Sequence, residues 1–303
     1  MALFLTPATG LFCILGGMVI LRQGLQRLAG TRLRRVIIWM TLNPWRAFLS
    51  GTVATALVQS SSILTVMTVS FVDAGLLPFA NALYLILGSN IGTTVTTQLL
   101  AFPLDSFSYY AMLLGSLGFL FLNGRWRYLA LGLLGLGLLF FGLMTLETGL
   151  EPFVNQAGIQ HFIHSLGDHH WRGVAAGALL SALLHSSSAT TGIVMLLTEE
   201  GWLTLPTAIA FVLGANIGTC FTAVLASLAS ETAARRVAYF HILLNVFGVL
   251  VFLPFLHPFV SLLTHLGGNL ARQVANAHTL FNIISSLLAF PLVPAAARLL
   301  KRL

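Results

Sequence analysis

Two short stretches put hydrogen-bonding groups where the chain can least hydrate them: VQSSSILT, from Val58 to Thr65, and LHSSSATT, from Leu184 to Thr191. Serine and threonine hydroxyls donate to an anion and offer oxygen to a small, hard cation. Backbone amides freed where a helix starts carry partial positive charge, which also suits an anion. Gln59, Ser60, Ser61, Ser62 and Thr65 in the first stretch, and His185, Ser186, Ser187, Ser188 and Thr191 in the second, are therefore candidate ligands for an anion and a cation held together. Asn90 and Thr93 in GSNIGTT, with Asn216 and Thr219 in GANIGTC, add amide and hydroxyl oxygens. The glycine inside each of these NIGT motifs reads as a break in an otherwise helical segment.

What must position these groups is almost wholly apolar. Of 303 residues, 57% are hydrophobic and 8% charged, against roughly a quarter charged in soluble domains; mean hydropathy is +0.92. Apolar segments at 11–28, 45–73, 78–101, 107–122, 128–146, 171–198, 203–227, 237–255 and 273–297, with a shorter one near 259–270, recur from end to end. Spanning helices need roughly 20 such residues, so the pattern predicts an all-α polytopic membrane protein and disfavours a barrel. The N-terminal stretch lacks a basic leader and is expected to be the first span, not a cleaved signal. The net charge of +7 comes from arginines in short loops and at helix ends. Membrane topology places them there, so nucleic acid is not an expected partner. Cys13 and Cys220 have no metal-type spacing, and no transition-metal site or cofactor is expected. His185 beside Ser186 does not make a nucleophile and base, because neighbours on a helix point about 100° apart; no enzyme activity is expected. The histidine-rich stretch from His161 to Trp171 is expected to be a surface loop.

The two halves are copies. An offset of 126 residues superposes Ser60, Ser61 and Ser62 on Ser186, Ser187 and Ser188, Thr65 on Thr191, Gly51 on Gly177, and GSNIGTTVT from Gly88 on GANIGTCFT from Gly214. Matched polar interruptions in two halves of a membrane chain point to a transporter's binding site. If 45–73 and 171–198 are re-entrant hairpins, three crossings separate the halves and they are inverted; if each crosses once, the halves are parallel. With the N-terminus outside, the hairpin arrangement puts all 15 Lys and Arg except Arg172 and Arg272 on the cytoplasmic side, including Arg22, Arg32, Arg34, Arg35, Lys301 and Arg302, as the positive-inside rule requires. The expected architecture is thus two inverted repeats, each with a re-entrant hairpin and an interrupted helix. They span 1–125 and 126–256, and a helical segment at 257–303 follows.

QSSS at Gln59, SSSATT at Ser186, the two GxNIGT motifs and AHTLFN at Ala277 resemble the type II sodium/phosphate cotransporter family and its bacterial members. The resemblance implies sodium-coupled symport of inorganic phosphate across the cytoplasmic (inner) membrane by alternating access. It places the serine elements at the substrate, with Asn90, Thr93, Asn216 and Thr219 shaping the ion sites. An uncoupled anion channel, or an exporter of phosphate or a similar oxyanion, is the competing reading. His185 stands where the family pattern has Gln, which puts sodium stoichiometry and substrate identity in question. The sequence ends at Arg302-Leu303 without the PhoU-like domain of many bacterial members, so such a regulator, if one is needed, would be a separate protein; whether there is one, and whether the protein is a homodimer, are left open.

Overall fold

The computed structural model describes residues 2–29, 43–102, 105–154, 156–227 and 232–300, all organised as helices and short links. Of the basic residues used above to assign sidedness, Arg32, Arg34, Arg35, Lys301 and Arg302 lie outside the described residues. The helices are α1 (Ala2–Ala29), α2 (Pro44–Val58), α3 (Ser61–Asp73), α4 (Phe79–Leu100), α5 (Asp105–Phe121), α6 (Gly124–Val154), α7 (Ala157–Asp168), α8 (His170–Leu184), α9 (Ser187–Glu199), α10 (Leu205–Ser227), α11 (Thr232–Phe252), α12 (Leu256–Leu266), α13 (Leu270–Ala289) and α14 (Val293–Leu300). Five stretches are long and apolar enough to cross a membrane: Phe4–Leu28, Gly124–Phe153, Leu205–Leu225, Arg235–Leu266 and Leu270–Leu300. Side chains such as Phe12, Leu120, Phe121, Leu183 and Leu250 point outward, as lipid contact allows.

Glycine sets the closest contacts. In lipid, helices associate through small residues that let backbones touch. α1 lies along α6 with Gly10, Gly17 and Gly24 against Leu146, Leu139 and Gly132, so a Cβ on any of the three would come within 2.5–2.6 Å of a backbone nitrogen. Partner numbers fall as α1 numbers rise: the two helices run antiparallel.

α2 and α4 do the opposite. Gly51 meets Leu85, and Gly88 and Gly92 meet Phe48 and Thr52, so these helices run parallel. The same three contacts recur 126 residues on, with Gly177 on Phe211, Gly214 on Val174 and Gly218 on Ala178, between α8 and α10. Duplication is therefore visible in packing as well as in sequence.

Two expectations are corrected. The NIGT motifs do not break their helices: α4 runs through Gly92 and α10 through Gly218 without interruption. These glycines serve approach, not turning, since a Cβ would lie 2.3 Å from the Thr52 carbonyl oxygen or 2.1 Å from that of Ala178. The interruptions fall at the serine triplets instead. The histidine-rich stretch is not a loop either. Most of it forms α7, whose Leu166 is buried and whose Ile163 packs against the core; apolar residues at helical spacing outweigh the polar histidines. Among the described residues no three His, Cys, Asp or Glu groups cluster to hold a metal.

Candidate functional site

Each serine triplet sits at a helix junction. After α2, Gln59 takes the left-handed conformation (φ 56°) and Ser60 returns to extended backbone, from which α3 begins. After α8, His185 (φ 52°) and Ser186 do the same ahead of α9. The first serine of each triplet is an N-cap. Ser60 Oγ accepts from the Ile63 amide at 3.2 Å and Ser186 Oγ from the Ala189 amide at 3.1 Å. The next two residues open the helix, and the N–H groups of Ser61, Ser62, Ser187 and Ser188 have no backbone acceptor among the described residues, as in any first turn.

Both junctions face one cavity. Gln59, Ser60, Ser61, Ser62, His185, Ser186, Ser187 and Ser188 line it together with Thr93, Thr219 and Arg22. It brings together two helix N-termini, whose dipoles point positive ends inward. The hydroxyls of Ser61, Ser187 and Ser188 make no hydrogen bond among the described residues. That of Ser62 accepts from Thr222 Oγ1 at 2.9 Å, a link from one half to the other. Gln59 is committed within its own half: its Oε1 accepts from Thr96 Oγ1 and its Nε2 donates to the Ala56 carbonyl. His185 is exposed where its counterpart Gln59 is buried. Only about 10 Å³ of the space is free, roughly what a single water needs.

The other predicted residues stand behind this wall. Asn90 Oδ1 meets His241 Nε2 at 3.0 Å, and Asn90 Nδ2 donates to Asn245 Oδ1. In the second half Asn216 Oδ1 meets His278 Nε2 at 3.3 Å and accepts from Asn282 Nδ2 at 3.1 Å. The HxLxN pairs of α11 and α13 thus clamp α4 and α10, with ring tautomers assigned from the contacts. Thr65 and Thr191 lie fully buried one turn into α3 and α9. Thr191 Oγ1 donates to the Ser187 carbonyl at 2.8 Å, whereas Thr65 Oγ1 has no partner.

Sequence reasoning missed Arg22, taking it as a marker of the cytoplasmic side. It is the first charged residue in the chain, inside an apolar segment, and that alone marks a functional candidate in a membrane protein. A larger space of about 220 Å³ is lined by Glu147, Glu199 and Glu200 at the far end of α9; it shares no residue with the serine cavity.

Fold and site define a polytopic helical membrane protein with a donor-rich cavity at paired helix junctions. The Na+/Pi-cotransporter family model matches residues 13–148 and again 144–268, and the chain belongs to that family. It is 35% identical to the uncharacterized protein YqeW of Bacillus subtilis over 94% of this chain and 93% of that one. It is 33% identical to YjbB of Escherichia coli, a protein provisionally named for inorganic phosphate export, over 94% of this chain but 53% of the relative. A human sodium-dependent phosphate transport protein, 2C, is 39% identical over 41% of this chain and 21% of its own. The chain thus spans nearly all of YqeW but only about half of YjbB. No solved structure matches.

Proposed function

We propose that the protein is a secondary active transporter that carries inorganic phosphate with sodium across the cytoplasmic (inner) membrane by alternating access. The observation that carries this is the convergence of the two serine triplets, each opening a helix, on a single cavity. Unpaired amides and hydroxyls there donate to an oxyanion, and the same hydroxyl oxygens can face a sodium ion. Gln59, Ser60, Ser61, Ser62, His185, Ser186, Ser187 and Ser188 form the substrate and ion site, with Thr93 and Thr219 in its wall. Asn90, Asn216, Thr65 and Thr191 shape it from behind. The cavity is too small for phosphate as it stands, so loading requires its walls to part, as alternating access demands.

The architecture we infer is two inverted repeats, 1–125 and 126–256, followed by 257–303. In its favour, α1 and α6 occupy matching places in the two repeats and run antiparallel. The re-entrant hairpins are supported by the parallel course of α2 and α4. To start α4 alongside α2, the chain must return the length of α2 between Val58 and Phe79, and the 13 residues of α3 cover about 20 Å at 1.5 Å per residue.

Export without sodium coupling is the second reading, favoured by the likeness to YjbB. Radiolabelled phosphate flux in proteoliposomes, with and without a sodium gradient, separates the two. Concentrative sodium-driven uptake supports symport; flux down the phosphate gradient that ignores sodium supports the alternative, and no phosphate movement under any gradient sinks both.

A further inference from the structure

Arg22 reaches the serine cavity from α1, outside both triplets. One turn earlier on the same face, Met18 lies against the second triplet, its sulfur 3.8 Å from Ser186 Oγ, so this side of the helix is turned toward the site. Arg22 is half-buried and lines the cavity with Ser60, Ser61, Ser187 and Ser188. Its Nε is shielded from solvent without a partner, and no hydrogen bond or ion pair engages its guanidinium among the described residues. A guanidinium at membrane depth normally pairs with a carboxylate or with backbone carbonyls. Arg272, for contrast, donates to Gln98 Oε1 at 2.7 Å and to two carbonyls.

The second repeat has no counterpart. The position 126 residues on is Thr148, an exposed residue whose hydroxyl donates to the Met144 carbonyl. One fixed positive charge therefore breaks the near-symmetry of a cavity lined otherwise by serines, threonines, Gln59 and His185. The serine amides and hydroxyls supply direction but no net charge, and no carboxylate lines the space to meet the arginine.

We propose that Arg22 is a substrate-binding residue: its guanidinium contacts a tetrahedral oxyanion held between the two serine triplets, and the anion is the partner the arginine lacks. This rests on the oxyanion-transport reading above and adds to it the residue that meets the substrate's charge. Arginine suits the role because its fork of donors spans two oxygens of one tetrahedral anion, while a lysine at the same place offers a point charge. Arg22 also selects for charge: with it in place, the site favours an oxyanion over a neutral solute of equal size.

The test is binding of radiolabelled phosphate, arsenate and sulfate to the full chain in lipid nanodiscs, in sodium, for the wild type, Arg22→Gln and Arg22→Lys. Loss of a charged hydrogen-bonding partner predicts an affinity at least about tenfold weaker in Arg22→Gln for whichever anion the wild type binds best. Arg22→Lys should fall between the two, with melting temperatures alike. Equal anion affinity in wild type and Arg22→Gln overturns the proposal and leaves the transport reading standing. A wild type that binds none of the three anions overturns both. If Arg22→Gln does not fold, Arg22→Lys decides the matter, because it keeps the charge but not the fork of donors: anion affinity below that of the wild type supports the assignment, and equal affinity overturns it.

Discussion

Gln59 and His185, 126 residues apart, share a left-handed backbone, with φ of 56° and 52°, and among the described residues no other non-glycine does so. The conformation is strained for a side chain bearing a Cβ, and its recurrence at both junctions marks the turn as a built feature. At His185, which makes no side-chain hydrogen bond among the described residues, the strain can be tested alone. His185→Gly should melt at or above the wild type, while His185→Val should lose about 1–2 kcal/mol. Thermal unfolding of the purified protein reads the order, and a valine variant as stable as glycine would contradict the turn.

The serines of each triplet divide by task. Ser60→Ala and Ser186→Ala remove an N-cap and should cost about 1 kcal/mol of stability along with transport. Ser61→Ala and Ser187→Ala remove hydroxyls that are bonded to nothing in the fold, so stability should stay within about 0.5 kcal/mol of wild type while phosphate flux is lost. Normal flux in both of the latter variants would sink the site assignment.

Gly88 and Gly214 permit backbone contact that no other residue allows. A Cβ there would fall 1.8 Å from the Phe48 carbonyl oxygen or 1.9 Å from that of Val174. Gly88→Ala and Gly214→Ala must force α2 from α4 or α8 from α10, costing about 3 kcal/mol or more. Gly16, whose nearest neighbour would be a side-chain carbon 3.8 Å away, is the control, and Gly16→Ala should fold. Size-exclusion profiles of the solubilised variants distinguish these outcomes.

Single cysteines at Trp45 and Ala74, both exposed at the outer ends of α2 and α3, test the hairpin in a chain without Cys13 and Cys220. A membrane-impermeant thiol reagent should label both from the same side. Labelling from opposite sides would make α2 and α3 one crossing and remove the inversion of the repeats.

The local pattern of residues determined much. Apolar segments long enough for lipid announced helices, because hydrocarbon leaves backbone groups no other partner. The 126-residue offset announced the duplication, and polar triplets in matched places announced the junctions. Sequence reasoning failed at Gly92 and Gly218, where it took conformational freedom as the reason for glycine. Whether a glycine turns the chain or admits a neighbour depends on what lies across from it, and here that is the carbonyl of Thr52 or Ala178, tens of residues away in the chain. At Asn90 and Asn216 the sequence offered amide oxygens at matched places, and only the fold shows His241 of α11 and His278 of α13 set against them.

Sequence alone thus decided the helical class, the repeat and the junctions at the serine triplets, which can be read from residue types along the chain. Only tertiary structure decided which polar groups meet. Ser61 and Ser187 come to one cavity, and Arg22 joins them from a helix that carries no part of either motif. A contact across three helices leaves no periodic trace in any one of them: a charge inside an apolar segment marked Arg22 as a candidate, but that it faces the serines was decided only by folding the chain.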